Sequence, residues 1–197
     1  MTDTPTPDTP AKPTLRARAI AARRMYSTEE RLFATIAVCE RALPLLLATE
    51  GVIGLYHPFR EELDPGPLVE RLVEAGRELA LPCVLSRREP LVFRRWKPGD
   101  PLVNGQMTIP EPPKDAPEVH PDVLIAPPVA FDRRCYRIGY GAGFYDRTIP
   151  VLRARHEVTT IGYAFAVQEV EHVPNEAHDV PLDAIVTDND VFRGGAA

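Results

Sequence analysis

What the sequence lacks narrows the field before any motif is read. No apolar run approaches the roughly 20 residues that a membrane-spanning helix requires, so no membrane partner is expected. The opening MTDTPTPDTPA has neither the basic start nor the apolar stretch of a secretory leader and reads as a disordered tail over residues 1–11. Cysteine is scarce: Cys39, Cys83 and Cys135 are odd in number and show no close paired spacing. That argues against a disulfide framework and for reduced thiols in the cytoplasm, packed as small core hydrophobes. An excess of base is missing too: 23 Lys and Arg stand against 28 Asp and Glu, a formal net charge of −5. A nucleic-acid scaffold or an anionic membrane surface is therefore not the expected partner. No internal repeat is visible, and no Ser/His/Asp or Cys/His constellation marks a nucleophilic site.

What is present is a chain of 197 residues, 44% hydrophobic and 26% charged, enough for one buried core. Residues 13–24 can open a helix with Pro13 in its first turn. Ser27-Thr28-Glu29-Glu30 has the pattern of a capping box and places Ser27 at the start of a second helix. Leu32, Phe33, Ile36 and Leu43 are expected to form its apolar face, and Pro44 to kink or end it. Leu68, Val69, Leu72, Val73, Gly76 and Leu79 recur at helical spacing. Val52–Tyr56, Cys83–Leu85, Val123–Ala126, Thr159–Phe165 and Ala184–Thr187 are short apolar runs of the kind found in strands covered on both faces. Leu91–Trp96 is more polar and suggests an edge strand. Strands alternating with helices predict an α/β fold: a single domain over residues 12–193, with a mostly parallel sheet flanked by helices. The proline-dense stretch 97–121 reads as a long loop, which inside one domain is often functional.

The segment from Arg137 to Arg147, RIGYGAGFYDR, carries the chemistry. Glycines at three alternate positions let backbone amides approach a ligand without hindrance from a Cβ. Amides converging ahead of a helix N-terminus form an anion site, aided by the helix dipole. Arg137 and Arg147 can add charge-assisted bonds to phosphate oxygens. Asp146, just beyond the nest, is placed like a magnesium ligand, since magnesium is usually held by one or two carboxylates plus phosphate. The spacing matches neither the dinucleotide fingerprint nor the Walker A pattern.

The wording of this segment resembles the signature of the 5-formyltetrahydrofolate cyclo-ligases, also called methenyltetrahydrofolate synthetases. The resemblance runs from Lys12 to about Val191. Lys12-x-x-Leu15-Arg16 matches the family's opening, and Tyr56-His57-Pro58 with Glu61-Glu62-Leu63-Asp64 its first strand and substrate turn. Met107-Thr108-Ile109-Pro110-Glu111-Pro112 resembles its proline-rich loop. Ala130-Phe131-Asp132 leads into the glycine segment, and Gln168, His178-Asp179 and Asp183 resemble its C-terminal signature.

Carried over residue by residue, the resemblance implies a site for ATP and a reduced folate. Lys12 and Arg16 would hold ATP phosphates. Arg137 and the run Ile138, Gly139, Tyr140, Gly141, Ala142, Gly143, Phe144 and Tyr145 would cradle the triphosphate. Asp146 and Asp179 would hold Mg²⁺. His57, Glu62 and Met107 would face the folate, with the Tyr140–Phe144 run also touching it. No catalytic nucleophile is implied. The expected activity is ATP-dependent cyclisation of 5-formyltetrahydrofolate to 5,10-methenyltetrahydrofolate, in one-carbon metabolism, by a cytoplasmic monomer whose partners are small molecules.

Several positions depart from the family pattern. Thr108 stands where glycine is usual before Ile-Pro, Pro128 replaces a glycine, Cys135 lies near a turn that often has one, Ala142 replaces a glycine or lysine, and Pro150 sits inside the following helix. Two other readings use the same residues. A non-catalytic sensor would bind MgATP and folate without turnover. A sugar-phosphate isomerase-like enzyme would use the glycine loop for a substrate phosphate and need no ATP. Arg18, Arg23 and Arg24 read as a solvated basic face of the first helix. Arg87, Arg88, Arg94, Arg95 and Lys97 read as a solvated edge that could also attract a polyglutamate tail.

Overall fold

The computed structural model describes residues 10–195. The expected N-terminal tail falls outside that range, apart from Pro10 and Ala11. Helix α1 (Lys12–Arg24) carries Pro13 in its first turn, where the missing N–H costs nothing. Helix α2 (Thr28–Leu47) begins with the expected capping box: Glu30 N donates to Ser27 Oγ at 3.2 Å, and Ser27 N to Glu30 Oε2 at 2.8 Å.

The face that α2 buries differs from the expected one. Leu32, Phe33 and Ile36 are 56%, 62% and 45% exposed, and only Leu43 of the four is buried. Ala34, Val38, Ala42 and Leu46 turn inward instead, with Thr35 and Cys39 beside them. Small side chains repeated every four residues let the helix lie close to the sheet, which the bulkier stripe would prevent. Pro44 also does not end the helix. It removes one intrahelical bond, and Ala48 N still closes the last turn onto its carbonyl at 3.2 Å.

Strand β1 (Ile53–Gly54) follows, then α3 (Gly66–Glu74) and β2 (Leu79–Cys83). Leu79 continues the helical rhythm in sequence but opens β2. Gly76, at φ +72°, ends α3 in a Schellman turn, with Gly76 N bonded to Val73 O and Arg77 N to Leu72 O. The strand expected over Cys83–Leu85 is thus the end of β2, and Leu85 is exposed. Next come β3 (Val92–Arg95), the β4–β5 hairpin (Val103–Asn104, Pro110–Glu111) and β6 (Glu118–Val119). The proline-rich stretch is therefore structured, and β6 pairs outside β3, which is not the edge. Then follow β7 (Val123–Ala126), a second hairpin β8–β9 (Ala130–Phe131, Arg137–Ile138), α4 (Phe144–Arg153), β10 (Thr159–Tyr163), β11 (Ala184–Val186) and β12 (Val191–Arg193). Pro150 lies within α4 without breaking it.

The main sheet has the order β12-β11-β10-β7-β1-β2-β3-β6. Its five central strands, β11, β10, β7, β1 and β2, are parallel, and β3, β6 and β12 are antiparallel additions. The expected α/β class with a mostly parallel sheet holds. Alternation along β7 divides the core. Val123 and Ile125 face the layer of α2 and α3, while Leu124 and Ala126 face α4 through Ile149 and Leu152. A third cluster seats Leu15 and Ala19 of α1 on Val129, Ala130 and Ile138 of the β8–β9 hairpin. This seating brings the cations of α1 to the glycine segment. Among the parallel strands the order reverses between β1 and β7. Crevices at the carboxyl ends of such a pair are where open α/β sheets bind ligands.

Candidate active site at the carboxyl ends of β1 and β7

Two chain segments leave the sheet at this reversal. From β1 the chain runs through buried Leu55 and Tyr56 into the turn at residues 57–62. From β7 it passes Pro127 and Pro128, makes the β8–β9 hairpin and enters the glycine segment. Gly141 (φ +99°) and Gly143 (φ +65°, the N-cap of α4) take left-handed conformations that a side chain would strain. Ala142 has no positive φ, so its extra methyl carries no such cost. Thr108 (φ 59°) and Cys135 (φ 64°), at two of the other positions where the resemblance expects glycine, do have positive φ, and Pro128 does not. Gln168 fastens the start of this region, donating to Pro128 O at 2.6 Å and Val129 O at 3.0 Å.

Cations from three elements converge on the loop. Lys12 Nζ lies 2.5 Å from Asp179 Oδ2, and Arg16 Nε donates to Gly139 O at 2.7 Å. Arg137, with a side chain only 6% exposed, donates to Asp146 Oδ1 at 2.8 Å and to Val180 O at 2.5 Å. Burial lowers the Arg137 pKa against the opposing pull of Asp146. Arg147 folds back on the chain, donating to Ala142 O at 2.8 Å and Arg87 O at 3.0 Å, so it braces the loop as well as charging it. A Cβ on Gly143 would sit 3.0 Å from an Arg147 nitrogen. The glycines thus admit the guanidinium groups as well as any ligand.

The carboxylates are held by these cations. Asp179 also accepts from Glu176 N at 2.7 Å. Burial raises its pKa, but the Lys12 and Glu176 hydrogen bonds outweigh that and leave it lowered. In both Asp146 and Asp179, one oxygen takes the hydrogen bonds and the other is left for a further partner; the nearest ion-pair partner of Asp179 Oδ1 is His178, at 3.9 Å. Among the described residues no group of three or more His, Cys, Asp or Glu side chains forms a metal cage. Two carboxylate oxygens beside a phosphate nest fit Mg²⁺, which takes its remaining ligands from phosphate and water.

On the β1 side, Glu62 is 9% exposed, and its Oε2 accepts from Phe59 N at 2.8 Å. Burial pushes its pKa up to about 7, against the lowering effects of the Phe59 N–H and the Arg23 charge. His57 is half-buried, with Nδ1 3.3 Å from Pro58 O. The two halves meet at half-buried Tyr145, whose hydroxyl pKa is raised by desolvation and by the Glu62 charge against the opposing pull of Arg137. They meet again at Tyr140, packed edge-on against Phe59 with ring centroids 5.6 Å apart. Met107 is half-buried at the turn of the β4–β5 hairpin. That hairpin is fastened to the end of β2 by a bond from Val84 N to Glu111 Oε2 at 3.1 Å.

Some residues have roles that sequence reasoning did not foresee. Arg23 is fully buried, not part of a solvated face, and donates to Tyr140 Oη at 2.7 Å. Its position on the stripe Lys12, Arg16, Ala19, Arg23 was the available signal. Arg94 and Arg95 of β3 are engaged, with Lys114 O and Ala116 O and with Glu78 respectively, while Arg87 and Arg88 remain exposed. Asp183 lies apart from the glycine loop, bonded to Thr160 and Arg153.

Residues 8–188 match the family model described as the 5-formyltetrahydrofolate cyclo-ligase family. The chain belongs to that family. A 5-formyltetrahydrofolate cyclo-ligase from Escherichia coli strain K12 is 39% identical over 155 residues, covering 76% of this chain and 84% of that one. One from Haemophilus influenzae is 34% identical over 151 residues, covering 74% and 80%. Among solved structures, the 5,10-methenyltetrahydrofolate synthetase of Aquifex aeolicus superposes with a TM-score of 0.77 at 31% identity, over 94% of both chains. That of Mycoplasma pneumoniae gives 0.68 at 25% identity, over 90% of this chain and 98% of the other. The cyclo-ligase fold is therefore present over nearly its whole length. Its reversal point coincides with the convergence of glycine loop, cations and buried carboxylate.

Proposed function

We propose that this cyclo-ligase family member closes 5-formyltetrahydrofolate to 5,10-methenyltetrahydrofolate, consuming one ATP and releasing ADP and phosphate. The observation that carries this reading is the grouping of three cations around the glycine loop ahead of α4: Arg16 bonded to Gly139 O, Arg137 to Asp146 in the first turn of α4, and Lys12 to Asp179. It is a phosphate site at the place where an α/β sheet binds its ligands.

The formyl group is amide-like, and its oxygen is a poor leaving group. Attack of that oxygen on the γ-phosphate breaks the bond to ADP and gives a phosphorylated imidate-like species. N10 then attacks the same carbon and loses its proton, phosphate departs with the original formyl oxygen, and the ring is closed. Such phosphoryl transfer asks the protein for positioning and charge neutralisation. Lys12, Arg16, Arg137 and the loop amides Ile138–Tyr145 supply both. Asp146 and Asp179 would hold Mg²⁺, which supplies charge neutralisation on the phosphates when bound. Ion pairs that now join Lys12 to Asp179 and Arg137 to Asp146 would open toward nucleotide and metal. Glu62 suits the N–H-rich edge of a pterin, with His57 and Met107 beside it. The Tyr140–Phe144 run lies between the two substrates. We place the protein in the cytoplasm, where its three buried free cysteines would stay reduced.

The test is to incubate the purified chain with 5-formyltetrahydrofolate and MgATP, following methenyl absorbance and phosphate together. Equal release of product and phosphate is expected, and the N10-formyl isomer should not support it. Nucleotide left intact with either isomer would favour the sensor. Product formed without ATP would remove the phosphorylation step, and with it the mechanism.

A further inference from the structure

The guanidinium of Arg23 is buried, yet its Nε and Nη1 have no hydrogen-bond partner among the described residues. Its Nη2 donates to Tyr140 Oη, in the glycine loop, at 2.7 Å. That same Nη2 lies 3.9 Å from Glu61 Oε2, an enclosed oxygen with no hydrogen-bond partner among the described residues, while Glu61 Oε1 accepts from Arg24 Nε at 3.1 Å. A buried cation and a buried carboxylate oxygen, each lacking a bond and separated by slightly more than one, are costly to leave so. Moving the 59–62 turn toward α1 by less than about an ångström would give Glu61 Oε2 a bond from the second hydrogen of Nη2. That turn is poised. Arg60 holds a left-handed φ of 56°, and its guanidinium lies over the rings of Phe59 and Tyr140, at 4.8 and 5.6 Å. Arg31 grips the same turn, donating to Glu61 O at 3.2 Å and to Arg23 O at 2.8 Å.

We infer that Arg23 is a positioning residue that couples the folate-side turn to the nucleotide loop, through Glu61 on one side and Tyr140 on the other. A ligand engaging the neighbouring Glu62 draws the turn onto Arg23, completes the Arg23–Glu61 pair and fixes Tyr140 for the nucleotide. This rests on the proposed function and deepens it, because it predicts that the two substrates bind cooperatively.

The experiment measures the affinity of a non-hydrolysable ATP analogue with and without saturating 5-formyltetrahydrofolate. The folate should tighten the analogue at least about fivefold in the natural chain, the lower range of ordinary coupling energies. Arg23→Met and Glu61→Gln should bring that ratio within about twofold of unity, with Arg23→Lys restoring part of it. Tyr140→Phe, which keeps Arg23 and loses only the phenol, should weaken it too. Circular dichroism and thermal melts establish that each variant is folded. Folded Arg23→Met with undiminished coupling overturns the inference, as does a natural chain whose ratio is already unity. If the natural chain binds no folate at all, the functional reading fails instead.

Discussion

Replacing Glu62 by glutamine should stabilise the protein at pH 8 while impairing folate-dependent turnover. The ordinary carboxyl value is 4.5, and burial raises that of Glu62 to about 7. Between those values the folded chain keeps a proton that the unfolded chain has released. Stability therefore falls as pH rises through the window and levels off above about 7. At about 1.4 kcal/mol per unit the full penalty is about 3 kcal/mol, most of it accruing between pH 5 and pH 8. Glutamine keeps an acceptor for the Phe59 N–H and never ionises, so it escapes the penalty. Urea unfolding of both proteins at pH 5, 6, 7 and 8 measures it. Nearly equal stability at pH 5 and a lead for Glu62→Gln that widens to pH 8 are expected. A difference independent of pH, or a lead for the natural chain at pH 8, would refute the burial argument. The same variant should bind free ATP almost normally and lose folate-dependent turnover, because a folate that donates N–H groups to Glu62 favours its charged form.

Glu62 should also shape the pH profile. The kcat/KM for 5-formyltetrahydrofolate is expected to rise about tenfold per unit below pH 7 and flatten above it, with no such break in Glu62→Gln. Asp146→Asn keeps an acceptor for Arg137 and removes the charge. It should cost about a hundredfold in rate, about 3 kcal/mol of transition-state stabilisation, and near-natural activity across a magnesium titration would reject the assignment. Thr108→Gly should raise stability by about 0.5–1 kcal/mol, the relief of left-handed strain (about 1–2 kcal/mol) less the entropy of glycine. A lower urea midpoint would contradict it.

The parts legible in the sequence were those governed by local rules. The Ser27 capping box and the buried β7 run each follow from neighbouring residues alone. Errors arose where tertiary context overrode a local rhythm. Leu79 fits the helical series, but Gly76 stops α3 and the sheet claims the residue. Phe33 and Ile36 look like a core stripe, but the distance between α2 and the sheet admits Ala34, Val38 and Ala42. The β8–β9 hairpin was missed because its two-residue strands carry too little periodicity to register, yet it is the seat on which α1 rests. Arg23 was misplaced for a related reason: helical spacing gives its stripe, and only the packing of α1 shows that this end of the stripe is covered.

That packing bears on why the site needs α1 at all. Lys12 and Arg16 open a helix whose first turn contains no acid, an arrangement that opposes the helix dipole. Their partners, Asp179 Oδ2 and Gly139 O, belong to segments more than a hundred residues later in the chain. Such contacts cost loop-closure entropy and cannot form before the sheet does. In the proposed phosphate site, the α1 wall therefore forms only once the sheet is in place, since those partners are distant in sequence. Nucleotide supplies the anion that the helix start lacks, so binding should stabilise α1 against local opening more than it stabilises the central strands. Hydrogen exchange with and without MgATP tests this. Protection gained in residues 12–24 beyond that in β7 and β10 is expected, and uniform protection would show that α1 is already fixed by its packing on the hairpin.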